Sequence, residues 1–206
     1  DFKNHSFIKD SERYDAMEKG FSSVMMHAML GATQLKVIER DQIQWLIREQ
    51  NIQNQFEMEG AVRAGKLLGA HVVLMGSFIL QDNNKVFLNA RLVKIETSEI
   101  LLHEAEEGKF KDFLKITRKL AKKIAGSIDA KEVYVPRAEV PNSLDAFMAY
   151  SEGLSYQDKE MYDEASEKFR QALEFDPDFI RAQAALDRIK FTAYAENKLE
   201  KYDKRE

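Results

Sequence analysis

The segment from Gly60 to Lys66 is the part of the sequence that comes nearest to a reactive motif. Its residues, GAVRAGK, match the first seven positions of a phosphate-binding loop, in which backbone amides cradle phosphate and the lysine neutralises its charge. Leu67 stands where such a loop needs a serine or threonine to hold magnesium. The segment also lies within a helical pattern that leads into a strand, the reverse of the required order. We therefore interpret the match as a coincidence and keep small-ligand or nucleotide binding as the alternative hypothesis.

No other combination of residues predicts catalysis or metal binding. The sequence has no cysteine, which excludes disulfides, thiolate metal sites and cysteine nucleophiles. The histidines are isolated, and none has the spacing of paired metal ligands: His5, His27, His71 and His103. A nucleophile motif of the G-x-S-x-G kind is also missing. We predict no catalytic residue, no cofactor and no metal.

Composition limits the partners. The 206 residues are 44% hydrophobic and 32% charged, with a net charge of −4, which is ordinary for a soluble globular chain. A weakly acidic balance with interspersed signs gives no electrostatic footprint for nucleic acid or for an anionic membrane surface. No apolar run approaches the roughly 18 residues of a membrane span. We predict neither a nucleic-acid partner nor a transmembrane segment.

Residues 35 to 80 carry the most informative pattern of elements. Leu35 to Ile38 form a short apolar segment typical of a strand, and two helical patterns follow it. Gly69 lies where the second helix should end, and His71 to Leu80 is a β-rich apolar run typical of a strand covered on both faces. The predicted order is strand, helix, helix and central strand.

The flanking segments complete this unit. A helix is predicted from Asp10 or Ser11 to about Leu30, with its apolar residues at three- and four-residue spacing. Alternation from Val86 to Ile95 predicts a hairpin with the central strand, and Ile100 to about Glu106 predicts a further strand. A closing helix is predicted from Lys109 to about Ile128.

Three segments in this order resemble a known family: VIERDQIQWLIREQNI, AGKLLGAHVVLMGSF and VFLNARLVKIETSEIL. They are similar to the periplasmic domain of the CsgG-like curli secretion family, and to N-terminal domains of the translocation protein TolB and of lipoprotein activators of penicillin-binding proteins. The resemblance covers roughly Asp1 to Asp129. Its most specific parts are Glu39-Arg40 after a strand and the pattern from Leu68 to Ser77. Ser98 stands where the family usually has a turn glycine.

This resemblance implies a fold, a location and a kind of function. It implies an α+β fold with a mixed sheet, and a non-enzymatic assembly or adaptor protein of the bacterial periplasm, associated with the outer membrane. The first strand, a signal peptide and a lipobox cysteine would lie upstream of Asp1. Only Gln81 to Asn84 stand where pore-forming members carry a long hairpin, so we predict that the pore-forming hairpins are absent. A homo-oligomeric ring is a further family expectation.

The C-terminal part changes character after residues 130–141, which hold two of the three prolines and predict an extended linker. Six residues then occur at the offsets of a tetratricopeptide repeat: Gly153, Tyr156, Ala165, Phe169, Ala172 and Pro177. A capping helix is predicted from Asp178 to about Ala195, followed by a charged tail. The predicted domains are therefore 1–129 and 142–206.

The predicted sites are sites of protein interaction. The first helix of such a repeat lines its concave surface, and the matching positions are Phe147, Tyr150, Leu154 and Gln157. Aromatic anchors on a concave wall suit binding of a protein partner. The alternative is that these residues pack on the capping helix or on the first domain. Trp45 lies off the apolar face of its helix and is either an assembly contact or a residue at the rim of the core.

Overall fold

The computed structural model describes residues 2–30, 36–38, 40–50, 58–82, 84–128 and 140–203. In chain order the elements of these residues are β1 (Lys3–Asn4), α1 (Met17–Leu30), α2 (Arg40–Glu49), α3 (Met58–Leu67), β2 (Val72–Leu80), β3 (Lys85–Lys94), β4 (Ile100–Lys109), α4 (Phe113–Ser127), α5 (Leu144–Asp158), α6 (Tyr162–Phe175) and α7 (Ile180–Asp203). Short 3-10 turns precede α1 and α4, at Ser11–Tyr14 and Phe110–Asp112. This arrangement confirms the predicted α+β class.

The four strands form one mixed sheet in the order β1-β2-β3-β4. β1 pairs in parallel with Ser77 and Phe78 of β2, and the other two pairs are antiparallel. Asn84 and Ser98, in the two turns, have φ angles of 61° and 59°. This left-handed conformation favours glycine, and asparagine tolerates it better than serine does. Ser98 nevertheless adopts it, at the position where the related domains were expected to carry glycine.

Most predicted elements are present, and three differ, one of them α7, which runs to Asp203 through most of the predicted charged tail. The predicted strand at Leu35 to Ile38 is wrong over its described part, because residues 36–38 belong to no strand. The segment was expected beside the first strand, but β1 is the edge of the described sheet and residues 36–38 do not pair with it. Val37 instead packs against the main core. The first helix begins at Met17, after Asp10 takes a left-handed φ of 56° that interrupts helical geometry.

The sheet separates two cores of different size. The main core lies on the side of α1 and α4 and is the larger: Phe2, Met17, Phe21, Val24, Met25, Met29, Phe78, Leu80, Val86, Leu88, Ala90, Phe113, Leu114, Ile116, Leu120, Ala121, Ile124, Ala125, Val140 and Phe147. On the other side, the α3 cluster consists of Ala61, Val62, Met75, Val93 and Ile95, and the α2 cluster of Leu46 and Ala64. The α1 and α4 side therefore holds most of the apolar burial.

Helices α5 to α7, which we call the helical module, have a core of their own. Gly153 lets α5 and α6 approach, since a Cβ there would lie 2.5 Å from the Phe169 ring. The Ser143 hydroxyl caps α5 by accepting a hydrogen bond from the Ala146 amide at 3.3 Å. α7 covers α6 with Ala182 and Leu186. Helices thus lie at the positions that the sequence predicts for a helix pair and a capping helix.

The connection to the module is packed where the structure describes it. Residues 129–139, most of the predicted linker, lie outside the described part of the chain. Val140 and Pro141 are buried, and the Arg118 guanidinium donates hydrogen bonds to their carbonyl oxygens at 3.0 and 3.4 Å. The last two residues of the predicted linker therefore belong to the folded body.

Candidate functional site

The predicted concave face of the helical module is covered by the chain itself. Phe147, Tyr150 and Leu154 are only 0%, 4% and 5% exposed. Phe147 belongs to the main core, with its ring centroid 5.2 Å from that of Phe113. The prediction that these three side chains contact a partner is therefore wrong for the folded chain, because they have no free surface. The alternative weighed for them, packing on the capping helix and on the first domain, is what the structure has.

Helix α1 covers that face through close contact with α5. A Cβ on Gly20 would overlap the Ser151 hydroxyl and lie 3.0 Å from the Phe147 ring, so the absence of a side chain allows the two helices to meet. Around this contact the Ser23 and Tyr150 hydroxyls lie 3.0 Å apart. We call this the α1–α5 junction. It joins the helical module to the α/β unit as a continuous packed structure.

An ion pair links α1 and α5 at one end of the α1–α5 junction. The Lys19 ammonium lies 2.5 Å from a carboxylate oxygen of Asp158, and both side chains are largely buried. Nearby, Gln157, the fourth predicted concave residue, is half-buried, and its Oε1 finds no hydrogen-bond donor among the described residues. Gln157 is therefore the member of the predicted set that keeps part of its surface, but its unbonded Oε1 is itself buried and not exposed to a partner.

Trp45 lies on α2 with 59% of its surface exposed. Its neighbours on the helix, Leu46 and Ile47, face the α2 cluster. The indole therefore lies on the outer surface of the α2 and α3 side of the sheet, which has the smaller cores. An assembly contact at Trp45 stays a prediction.

The segment from Gly60 to Lys66 is helical and does not form a phosphate-binding loop. It lies wholly inside α3, and from Val62 onward its backbone amides bond to carbonyl groups one helical turn earlier, so the segment cannot wrap around a phosphate as such a loop does. Gly65 has a packing role, since a Cβ there would overlap the end of the Ile95 side chain. The nucleotide interpretation of this motif is therefore wrong in its geometry.

The outer face of α3 does border an open depression of about 500 Å³. Met58, Glu59, Val62, Arg63, Lys66 and Ser98 line it. Two cations and one carboxylate on an open surface give a weak positive field and no enclosure. This arrangement could hold a small anion only loosely, because most bound ligands are largely enclosed by their pockets.

A charged network joins β4 to α4. The buried Glu106 carboxylate lies 2.6 Å from both the Lys119 and the Lys123 ammonium groups. Burial alone would raise the pKa of Glu106, but hydrogen bonds and charge attraction from the two lysines outweigh burial and hold its pKa below the usual value. An inward-facing charge of this kind also discourages a foreign strand from pairing with an edge strand such as β4. The network is best explained as structural.

The described part of the chain offers no constellation for metal chemistry. No group of three or more His, Asp or Glu side chains there could hold a metal ion. His27 is buried against its own helix, with its Nδ1 atom 2.7 Å from the Ser23 carbonyl oxygen. Among the same residues, no helix has the length and apolar character to span a bilayer.

Comparison with known families places the first part of the chain. Residues 1–85 match the model of the family described as "Curli production assembly/transport component CsgG". The predicted resemblance to this family is confirmed for these residues. The tetratricopeptide assignment of the helical module stays a prediction.

Among solved structures, the chain is similar to the C-terminal domain of LpoB. For the Salmonella enterica domain the TM-score is 0.41 at 13% sequence identity, and the match covers 52% of this chain and 77% of that domain. For the Escherichia coli domain the TM-score is 0.39 at 15% identity, with the same coverage. No curated protein matches the chain.

Sequence reasoning missed the α1–α5 junction, although its signal is present. Gly20 lies in the middle of a predicted helix, where glycine is unfavourable by about 1 kcal/mol relative to alanine. Such a glycine indicates that another element approaches closely. Ser23, on the same helix, and Ser151, on α5, are buried small residues at this approach. The pattern predicts a helix contact but does not name the partner helix.

Proposed function

We propose that the protein is a non-enzymatic adaptor or assembly component of the bacterial cell envelope, in which a CsgG-like α/β unit and a tetratricopeptide-like helical module act as one rigid platform. The observation that carries this proposal is the match of residues 1–85 to the CsgG family. Its expected setting is the periplasm, in association with the outer membrane and with an anchor upstream. Export, cell-wall synthesis and appendage assembly all remain compatible pathways.

The geometry supports binding outside the concave face. Since α1 already covers α5, a protein partner needs another surface of the module. On α7, Ile180 and Phe191 are 45% and 73% exposed, and their spacing of eleven residues places them on one side of the helix with Ala184. We call these three residues the α7 stripe. Aromatic and aliphatic side chains at this spacing suit an amphipathic partner helix.

The test compares surface variants and not a deletion. Removal of residues 142–206 would take away Phe147 and expose the main-core residues against which it packs. The wild-type chain and the variant Ile180→Ser/Phe191→Ser are used to capture cross-linked proteins from a solubilised envelope fraction. A matched control, Phe7→Ser/Leu101→Ser, changes two exposed apolar residues of the α/β unit. We expect a defined partner to be lost with the α7 variant and kept with the control. Retention by the α7 variant, or loss with the control alone, would contradict the assignment to the module.

The second candidate function is weak binding of a small anion in the depression beside α3. Arg63 and Lys66 favour it because neither makes an ion pair with a described residue. Calorimetric titration of the protein with a nucleoside triphosphate and magnesium tests this binding. Binding that disappears in Lys66→Ala and persists in Lys36→Ala, another exposed lysine, would favour this function over the adaptor role.

A further inference from the structure

The net charge of the chain conceals a strongly basic segment. Residues 109–127 contain one acidic residue, Asp112, and seven basic residues: Lys109, Lys111, Lys115, Arg118, Lys119, Lys122 and Lys123. Every charged residue of α4 is basic, in a chain whose net charge is −4. Composition predicts no affinity for an anionic membrane surface because it averages charges that the fold separates. One helix therefore differs sharply in charge from the molecule that carries it.

Part of this charge is neutralised inside the protein and part faces solvent. Lys119 and Lys123 pair with Glu106 on β4, and Arg118 donates hydrogen bonds to the backbone before α5. The other four are exposed and form no ion pair with any residue that the structure describes: Lys109, Lys111, Lys115 and Lys122. The Lys119 side chain is itself 66% exposed despite its ion pair. Much of the positive charge is therefore open to another molecule.

Four of these lysines form a row along α4 and the turn before it: Lys111, Lys115, Lys119 and Lys122. Spacings of four, four and three residues place them on one side of the helix, over roughly 16 Å. We call them the lysine row. Every apolar side chain of α4 faces the main core, and its other exposed positions are Lys123, Gly126 and Ser127. The free surface of α4 is therefore cationic and carries no apolar side chain.

The residue types of this surface select among anionic occupants. Protein interfaces draw most of their binding energy from aromatic and arginine side chains, and they are depleted in lysine. The lysine row has neither aromatic nor arginine side chains, so it lacks the anchors of a protein-docking surface. Lysine ammonium groups are flexible point charges, which suit phosphate groups that move independently. A bilayer presents phosphate groups in this way, as a plane of laterally mobile headgroups.

We propose that the lysine row is a docking surface for an anionic phospholipid bilayer, which α4 contacts side-on. The contact is electrostatic, since the apolar face of α4 is held in the main core and cannot enter the acyl region. At about 0.1 M salt the Debye length is about 10 Å, so a membrane touching α4 responds to the row and not to the net charge of the chain. The contact needs neither an upstream anchor nor a partner at the α7 stripe, so it and the adaptor function can fail separately.

Co-sedimentation of the purified chain with vesicles tests this surface. Vesicles of phosphatidylglycerol and phosphatidylcholine are compared with vesicles of phosphatidylcholine alone. We expect binding to the anionic vesicles only, and its release at about 1 M salt, where the Debye length is about 3 Å. A lysine near an anionic surface strengthens binding about fivefold, so Lys111→Gln/Lys115→Gln/Lys122→Gln should lower the partition coefficient about a hundredfold. Lys119 is left in place because the buried Glu106 pairs with it.

Two controls separate the lysine row from net charge and from side-chain shape. Lys36→Gln/Arg63→Gln/Lys66→Gln removes the same charge outside α4, and Lys111→Arg/Lys115→Arg/Lys122→Arg keeps the charge of the row. Both should bind anionic vesicles as the wild type does, and circular dichroism checks the fold of all variants.

The proposal would be overturned if the wild type did not bind anionic vesicles or bound neutral vesicles equally. Full binding by the glutamine variant of the row, or an equal loss in the control outside α4, would also overturn it. Soluble polyglutamate is the competing probe. Tighter binding to polyglutamate than to anionic vesicles, lost in the glutamine variant of the row, would overturn the proposal in favour of an acidic protein partner.

Discussion

The two sides of the sheet differ in how many apolar side chains they bury. On the α1 and α4 side, Phe21, Phe78, Phe113 and Phe147 are completely buried in the main core. On the α2 and α3 side, two small clusters are bordered by half-exposed residues such as Val73. The helical module joins the first side, so it shares the larger core. Stability is therefore concentrated on the side that holds the module, and the other side has more freedom to change.

The largest effect is expected from Phe147→Ala, which tests whether the module belongs to the main core. Removal of a fully buried phenyl group costs about 3–5 kcal/mol. Because Phe147 contacts Phe113, the α/β unit and the module should unfold together in one destabilised transition. Urea unfolding followed by circular dichroism measures this. Leu67→Ala, at an exposed position, is the control and should change stability by less than about 0.5 kcal/mol.

A second transition that appears only in Phe147→Ala would contradict this expectation. The module would then melt separately while the sheet stays folded. In that case the α1–α5 junction would be a dispensable contact, and the comparison between the two sides would apply to the α/β unit alone.

Matched glycine substitutions compare the two sides directly. Gly20→Ala should destabilise the protein by about 1–3 kcal/mol, because its new methyl meets the short, buried Ser151 side chain and the Phe147 ring. Gly65→Ala should cost less, about 1 kcal/mol or below, since it meets the movable end of Ile95. Gly126→Ala meets no described atom within 4 Å and should stabilise by about 0.5–1 kcal/mol. Thermal unfolding of the three variants gives the order.

The double variant Gly20→Ala/Ser151→Gly sharpens the comparison. It removes the side chain that the new methyl would overlap, so part of the lost stability should return. Equal losses in the single and double variants would mean that Gly20 acts through helix geometry and not through its contact with α5.

The elements of this fold were predictable because each depends on local pattern. The apolar run from His71 to Leu80 predicted β2, and Gly69, with a φ of 66°, follows the end of α3 where expected. The error at residues 36–38 has a different origin. An apolar segment of three or four residues fits a strand or an irregular packed segment equally well, and pairing with distant strands decides between them.

The candidate site was less predictable because it depends on contacts between distant residues. Phe147 and Tyr150 were identified as important side chains, but their spacing is the same whether α5 faces a partner or α1. Tyr150 meets Ser23 across 127 positions of sequence, a contact that helical periodicity cannot supply.

The Glu106 network predicts a smaller, pH-dependent effect on the α4 side. The folded-state pKa of Glu106 is lowered, so its stabilisation is present above the unfolded-state pKa and is lost as pH falls through the folded-state pKa. Glu106→Gln should remove about 1 kcal/mol at neutral pH, a modest loss because the Lys119 and Lys123 side chains are 66% and 44% exposed to solvent. The difference between wild type and variant should shrink in acid. Urea midpoints measured from neutral pH to about pH 3 test this, and a difference independent of pH would exclude the charge as its cause.

The smallest effect on stability is expected from Trp45→Ala, which tests the α2 and α3 side of the sheet. Because the indole is mostly exposed and Leu46 is the one deeply buried side chain among those described on its helix, the free energy of unfolding should change by less than about 0.5 kcal/mol. A loss above about 1 kcal/mol would make Trp45 a rim residue of the core and would weaken the contrast between the two sides. If stability is unchanged, the assembly contact is the prediction that is left to test. Quenching of its fluorescence by iodide, compared between dilute and concentrated protein, would then detect that contact, since Trp45 is the single tryptophan.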